Sequence, residues 1–488
     1  MRESEKEVCV VSTGEKGKLD ELRQKIGVPL AILCTVIVWL LPGFEGLSQV
    51  GHRALALFAG IFILYLTEAL PLPVTSILVV PSAVLMGIVN LKGALEGFAS
   101  SSVYLLVGSF VLAAAMVKTK LAERITYMIL LKIGSSTRNI TFGVMVANIC
   151  LAFLVPSSTA RTAILLPVCL SIIHILKGDE QGRSNFAINL LLTLAFTNAT
   201  ISAGIMTATV PNPVTVDFII KAGGPAIGYM DWLIYGFPPA LLMTLATWWL
   251  IQIIFKPEKA ELTGGIAFVH EQIQKLGVMS QAEWRTAAVF VLIVAAWATG
   301  SMTKIDATVA CLAGIVLFFL PRFGVLNWND ANKSISWQVV LICGGGISLG
   351  DILMKTGAAK WLAVTIFHFM GLQGASTIVI LVLVMLVIQY MHLVFVGTTA
   401  MATALLPIAL GMAQTANINP AVLALPVGMI VGGYPLLMFY NTLPNILIYG
   451  TGELKIGDFP KIGVAICTLA CLVYSLCAIT YWRWLGMF

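Results

Sequence analysis

Two hydroxyl clusters interrupt apolar sequence in this chain, PSSTARTAILLP at 156–167 and GTTAMATALLP at 397–407. Aligned on Leu-Leu-Pro, they pair Thr159 with Thr399, Ala160 with Ala400 and Pro167 with Pro407. The chemistry such runs can do is anion binding. A helix that starts afresh inside a membrane presents free N–H groups and about half a positive charge at its N-terminus. Two such ends facing each other form an anion trap. Ser157, Ser158 and Thr159 can cap the first returning helix and offer hydroxyls to carboxylate oxygens. Thr398 and Thr399 can do the same in the second, after Gly397, which permits close backbone approach. Serine and threonine in membrane helices commonly bond back to the preceding turn, and one cluster alone would be read that way. The repetition favours a site.

A second pair of motifs has the same character. TVPN at 209–212 matches TLPN at 442–445. Pro211 and Pro444 each remove a donor and disfavour helix at the residue before, which frees carbonyls suited to a cation such as Na⁺. Thr209 and Thr442 add hydroxyls, and Asn212 and Asn445 supply an amide that can donate or accept. Arg161 stands alone. An arginine inside a membrane segment costs about 2.5–3.5 kcal/mol, so it needs a role or a partner. It could raise the positive potential of an anion site, stand in for a cation, or pair structurally with carbonyls.

Other reactive residues have plainer readings. Glu68 precedes Pro71 at a helix end and reads as interfacial; His392 reads as a packed histidine. The nine cysteines are scattered through apolar sequence and read as small buried hydrophobes, not as a metal or disulfide framework. Gly346-Ile347-Ser348-Leu349-Gly350 matches the GxSxG nucleophile elbow, but that motif needs a strand–turn–helix setting. An intramembrane serine hydrolase using Ser348 is the distant alternative. No phosphate-binding loop, zinc-protease or dinucleotide motif occurs, which disfavours an ATP-driven pump or a cofactor enzyme, and nothing suggests a nucleic-acid partner.

The elements that must hold these residues are membrane helices. The chain has 488 residues, 59% hydrophobic and only 11% charged. Apolar runs of about 20 residues, enough to cross hydrocarbon as helix, recur along the whole length. Backbone groups inside lipid must pair within their own segment, so the fold class is all-α and polytopic. The reading gives about 11 transmembrane helices plus two helical hairpins, 139–176 and 375–416, each split by a hydroxyl cluster. Residues 1–25 read as a cytoplasmic tail and 26–51 as the first transmembrane helix with its connection. With the tail inside, the cation-rich connections 118–138, 177–188, 256–285, 322–337 and 455–461 fall on the same side. The C-terminus then lies outside a cell membrane.

The chain also reads as duplicated. MVKT at 116–119 resembles LMKT at 353–356, and His52-Arg53 resembles Trp284-Arg285, at nearly the displacement that relates the hydroxyl clusters and the proline motifs. An odd number of crossings separates the copies, so they are inverted, which is the mark of a secondary transporter. The first repeat spans 52–256, with scaffold helices to about 135 followed by hairpin and broken helix. A cytoplasmic linker covers 257–282. The second repeat spans 283–488, with scaffold helices to about 372.

These motifs together resemble the divalent anion/sodium symporter family, also called the sodium-coupled di- and tricarboxylate transporters. Leu66-Thr67-Glu68-Ala69-Leu70-Pro71 is similar to its TEAxP motif, and Gly344 to Gly350 to its GGGxxLG segment. The tips 157–159 and 397–399 occupy its two Ser-Asn-Thr positions, and TVPN and TLPN its helix breaks. PSSTAR resembles the form found in citrate/succinate and tartrate/succinate antiporters and plastid dicarboxylate exchangers. The resemblance implies a homodimer with a fixed scaffold and a transport unit that moves as an elevator. It also implies cargo contacts from Ser157, Ser158, Thr159, Gly397, Thr398, Thr399, Thr209, Pro211, Asn212, Thr442, Pro444 and Asn445. A coupling Na⁺ would lie near Ser157, Ser158, Thr398, Thr209 and Thr442; no other cofactor is implied. Ser158 and Thr398 replace the family's tip asparagines, and Phe439 stands where a proline is common. With Arg161, the tip changes lean toward anion exchange. The expectation is a secondary transporter of small di- or tricarboxylates by exchange or Na⁺ symport, with sulfate or a sulfonated anion as the alternative cargo.

Overall fold

The computed structural model describes residues 18–133, 136–177, 183–258 and 265–486. Its helices are α1 (Lys18–Leu40), α2 (Gln49–Thr67), α3 (Leu72–Leu85), α4 (Ser101–Lys118), α5 (Leu121–Ile133), α6 (Thr137–Leu154), α7 (Ser158–Lys177), α8 (Asn185–Ser202), α9 (Pro211–Lys221) and α10 (Tyr229–Ile254). They continue with α11 (Gly265–Leu276), α12 (Gln281–Ala298), α13 (Ala307–Val316), α14 (Trp337–Lys355), α15 (Ala358–Phe369), α16 (Thr377–Tyr390), α17 (Thr398–Thr415), α18 (Pro420–Gly433), α19 (Leu443–Tyr449) and α20 (Asp458–Ile479). Short turns of helix join several of them.

Among the described residues, nine helices are long and apolar enough to cross a membrane, or ten if α11 and α12, bent by 98°, form one span. Five further apolar helices are shorter, including α3, α15 and α18. The protein is therefore a multi-pass, all-helical membrane protein. Helix starts follow the local sequence: Ser48, Ser136 and Ser184 each accept a hydrogen bond from the first turn they precede. Ser280 and Glu283 form a reciprocal capping box at α12.

The order of elements repeats along the chain. In each half a long helix (α2 or α12) leads to a short one (α3 or α13), a long one (α4 or α14) and a shorter one (α5 or α15). Then come helix–break–helix (α6–α7 or α16–α17), a second broken helix (α8–α9 or α18–α19) and a final long helix (α10 or α20). The expected breaks all occur. Residues 155–157 separate α6 from α7, and 203–210 separate α8 from α9. Residues 434–442 lie between α18 and α19, mostly irregular with one short turn of helix. A short turn of helix and an irregular strand, 391–397, separate α16 from α17.

Three helices differ from the sequence reading. The segments around α5, α11 and α15 read as polar connections or loop, yet they are helical. Each is too short or too amphipathic to register as a crossing. Arg124 of α5 fixes α5 to the turn before α12: Nε donates to Glu283 Oε1 at 2.5 Å and Nη1 to the Gly277 carbonyl at 2.8 Å. The linker 257–282 is thus partly ordered helix clamped to the first half. The helix of the first crossing also begins by Lys18, before Ile26, though residues 1–17 lie outside the described set.

Packing is graded from rim to centre. Only 11% of the apolar window of α1 is buried, whereas 89% of that of α8 is. α8 is thus the central post, wrapped by α6, α7, α10 and α18, and α1 is a peripheral helix resting on α2 with its outer face exposed.

Candidate functional site

A cavity of about 930 Å³ opens where the four breaks meet. Its lining includes Ser157, Ser158 and Thr159 from the first tip and Gly397, Thr398 and Thr399 from the second. Thr209 of the first broken helix joins Thr442, Pro444 and Asn445 of the second. Two hydroxyl clusters far apart in sequence therefore share one chamber. All five residues expected near a Na⁺ ion lie on this wall.

The two tips are built differently. Ser157 caps α7: its Oγ accepts from the Ala160 N–H at 3.3 Å, and the Arg161 N–H bonds the Ser157 carbonyl at 3.0 Å. Gly397 precedes α17 in extended backbone and provides no side-chain cap. The first turn of α17 therefore offers its N–H groups to the cavity that Thr398, Thr399 and Ala400 line. A carboxylate there gains both the hydroxyls and the helix end.

The breaks are held open by their asparagines. Asn212 Nδ2 donates to the carbonyls of Ser202 and Ile205, both at 2.8 Å, and so bridges the turn that separates α8 from α9. Asn445 Nδ2 donates to the Pro435 carbonyl at 2.9 Å. In both, Oδ1 is buried without a hydrogen-bond partner. Each amide thus holds its loop with the nitrogen and keeps an acceptor oxygen in reserve. Close helix crossing brings the breaks together. A Cβ at Gly432 of α18 would stand 2.8 Å from Thr209 Cγ2 and 3.0 Å from Asn212 Oδ1. Only glycine allows that approach.

Arg161, Pro211 and Asn212 do not line the cavity. Arg161 is fully buried behind the wall. Its Nη2 donates to Ser202 Oγ at 2.5 Å and to the Ala208 carbonyl at 3.4 Å, and both of those residues do line the cavity. Its Nε and Nη1 are buried without hydrogen-bond partners. A guanidinium held by a hydroxyl and a carbonyl, with no carboxylate among its partners, keeps its charge uncompensated and projects a positive potential through a thin polar wall. Among the described lining residues the one carboxylate is Glu123 of α5.

Among the lining residues that escaped the sequence reading are Asn198, Ser202 and Asn441. Asn198 Nδ2 donates to the Ser158 carbonyl and to Thr162 Oγ1, both at 2.9 Å, tying the first tip to α8. Asn441 Nδ2 donates to the His392 carbonyl at 2.5 Å and does the same for the second tip. A polar residue in the middle of a buried apolar helix, as in FTNATIS at 196–202, was the available signal.

The remaining candidates have structural places. His392 is buried, with Nδ1 2.8 Å from the Gln389 carbonyl. Glu68 ends α2 in left-handed backbone at φ 48. Phe439 stacks on Tyr449 at 4.2 Å between ring centres, beside the second break. Ser348 is fully buried within α14 and its Oγ accepts the Gly97 N–H at 3.1 Å. It is an anchor between helix and turn, not a nucleophile.

Comparison with known proteins bears on the family and the fold. The model of the sodium:sulfate symporter transmembrane region matches residues 23–488. A membrane protein of Cupriavidus necator is 30% identical over 94% of this chain and 93% of its own length. The sodium-dependent dicarboxylate transporter SdcS of Staphylococcus saprophyticus is 26% identical over 95% of this chain and 92% of its own. SdcS of Staphylococcus aureus is also 26% identical, over 97% and 94%. The crystal structure of the YdaH transporter of Alcanivorax borkumensis has a similar fold, with TM-score 0.54 at 12% identity over 96% of this chain and 98% of that one.

Proposed function

This chain belongs to the sodium:sulfate symporter family and is a secondary transporter, not a hydrolase; from that premise we propose that it carries small di- or tricarboxylate anions by exchange. The cargo is held by Ser157, Ser158, Thr159, Thr209, Gly397, Thr398, Thr399, Thr442, Pro444 and Asn445. Pro211 and Asn212 shape the first break. The relatives named as dicarboxylate transporters support the cargo class. Hydroxyls and a helix end suit carboxylate oxygens, and a cavity of about 930 Å³ has room for a molecule of that size.

The observation that carries exchange is Arg161. A fixed guanidinium behind the first tip supplies the positive charge that a bound cation otherwise brings. An empty carrier then holds an uncompensated buried charge, and an anion relieves it. Reorientation with cargo is favoured over reorientation without it, which is the condition for exchange. A second reading, Na⁺ symport, rests on the sodium-dependent relatives. In it the ion would lie near Ser157, Ser158, Thr398, Thr209 and Thr442, with the free Oδ1 of Asn445 on the same cavity.

Residues 52–256 and 283–488 form two inverted repeats, and the hairpins with their broken helices move as an elevator against α2–α4 and α12–α14 in a homodimer. The N-terminus is cytoplasmic and the C-terminus outside. Proteoliposomes test the mode. Uptake of labelled succinate that requires internal succinate and ignores a Na⁺ gradient supports exchange. Uptake that requires external Na⁺ refutes it, and uptake of sulfate in preference to succinate refutes the cargo.

A further inference from the structure

One ionic cluster, a buried carboxylate tied to a half-exposed lysine, lies outside the cavity. Asp217 and Lys221 are one turn apart on α9, and Asp351 is on α14. Lys221 Nζ stands 2.8 Å from Asp217 Oδ2 and 2.8 Å from Asp351 Oδ2. Ser100 Oγ donates to Asp217 Oδ1 at 3.1 Å. Asp351 is 2% exposed, and its Oδ1 has no hydrogen-bond partner. Two carboxylates share one ammonium, so the cluster is net negative and one carboxylate oxygen is left bare in the interior.

The further cation that acts on Asp351 is Lys355. Lys355, one turn further along α14, is paired with Glu96. Lys92 acts on Glu96 from the neighbouring turn. Cys343, two turns back on α14, feels both Asp217 and Lys221. The helices touch closely here: a Cβ at Gly350 would stand 2.4 Å from Phe218 Cζ of α9 and 2.9 Å from Pro407 Cγ of α17.

The cluster crosses the plane along which an elevator must slip. α9 and α17 belong to the moving unit, and α14 and the turn holding Ser100 to the frame. When the unit moves, Lys221 travels with α9 and keeps Asp217. Asp351 stays behind without its ion-pair partner, and the one cation that stays with it among the described residues, Lys355, is already paired with Glu96. We propose that Asp351 is a proton-binding site that fills as Lys221 leaves and empties as it returns, so that movement of the transport unit is linked to pH. The inference rests on the elevator reading above. The step balances simply: Asp351 Oδ1 takes a proton from a solvent hydronium, which is left as water, and becomes a neutral carboxylic acid, and Lys221 remains an ammonium paired with Asp217. A buried carboxylate that loses its cation favours the neutral form. High pH therefore holds the state in which Lys221 and Asp351 touch, and low pH releases it.

Two measurements on the full-length protein test this. Succinate exchange in proteoliposomes should accelerate by about threefold or more from pH 8 to pH 6, and Asp351→Asn should flatten that profile. The infrared difference spectrum of the purified protein between the same pH values should contain a buried carboxylic-acid C=O band that Asp351→Asn abolishes. Lys221→Met, which keeps the carboxyl and removes the ammonium, should move the band's midpoint to higher pH. A band that survives Asp351→Asn, or its absence from both wild type and Lys221→Met, overturns the proposal. A band that behaves as stated in a protein that exchanges no succinate upholds the proton site and overturns the dicarboxylate reading instead.

Discussion

Replacing Arg161 with methionine separates an electrostatic role from a structural one. The side chain is fully buried, makes one short bond to Ser202 Oγ and one long one to the Ala208 carbonyl, and leaves two nitrogens unpaired. Ser202 and Ala208 are the wall between guanidinium and cavity, and two successive non-bonded contacts across one layer of atoms would put a bound carboxylate roughly 6–8 Å away. At an effective dielectric of about 20, a carboxylate at that distance gains about 2–3 kcal/mol. R161M should therefore weaken succinate binding on the order of 30- to 150-fold. The unliganded protein should behave in the opposite sense. Removing an unpaired buried charge relieves its desolvation, so R161M should melt no lower than wild type without substrate. R161K keeps the charge and loses the paired geometry, and should fall between the two. Calorimetric titration with succinate and thermal unfolding of the purified protein read both quantities. R161M that binds succinate as wild type does, and melts well below it, would refute the reasoning and make Arg161 a structural residue.

Three further outcomes are expected. S348A leaves the buried Gly97 N–H without its acceptor and should cost about 1–3 kcal/mol in stability while transport persists in the folded fraction; loss of transport with unchanged stability would contradict this. A Cβ at Gly428 would fall 1.9 Å from Thr215 Oγ1, so G428A should destabilise by about 1–3 kcal/mol or more, and the double variant G428A/T215A should recover part of the loss in thermal unfolding. At Glu258, burial pushes the carboxyl up, but donors from the start of α8, including the Phe186 N–H at 3.0 Å, outweigh it and hold the pKa below the usual carboxylate range. Its contribution is present above the unfolded-chain value of about 4.3 and is lost as pH falls through the lower folded value. Melting temperature should drop less steeply with acid in E258Q than in wild type.

The parts of the site that were legible in the sequence are those written twice. The hydroxyl tips and the TVPN and TLPN breaks appear in both halves, and proline and serine act locally, through a missing donor or a cap. Asn198, Ser202 and Asn441 act through partners in other segments, the Ser158 carbonyl, Arg161 and the His392 carbonyl, so the polar run 196–202 could flag two of them but not say what they hold. The placement of Arg161 behind the wall is likewise tertiary. α5, α11 and α15 were hidden for another reason. A search for apolar runs passes over helices that bury only one face, as α5 does with Leu121, Ala122, Thr126 and Leu130. α5 packs on α6 and α11 and is tied across the two halves by the Arg124–Glu283 contact, which local sequence does not show.

An experimental map of the protein with bound succinate is the most direct test of the account. It should place the dianion between the tips 157–159 and 397–399, its carboxylate oxygens within hydrogen-bond reach of the Thr398 and Thr399 hydroxyls and the first N–H groups of α17. A well-ordered succinate seated elsewhere, with that chamber closed or filled by side chains, would contradict it.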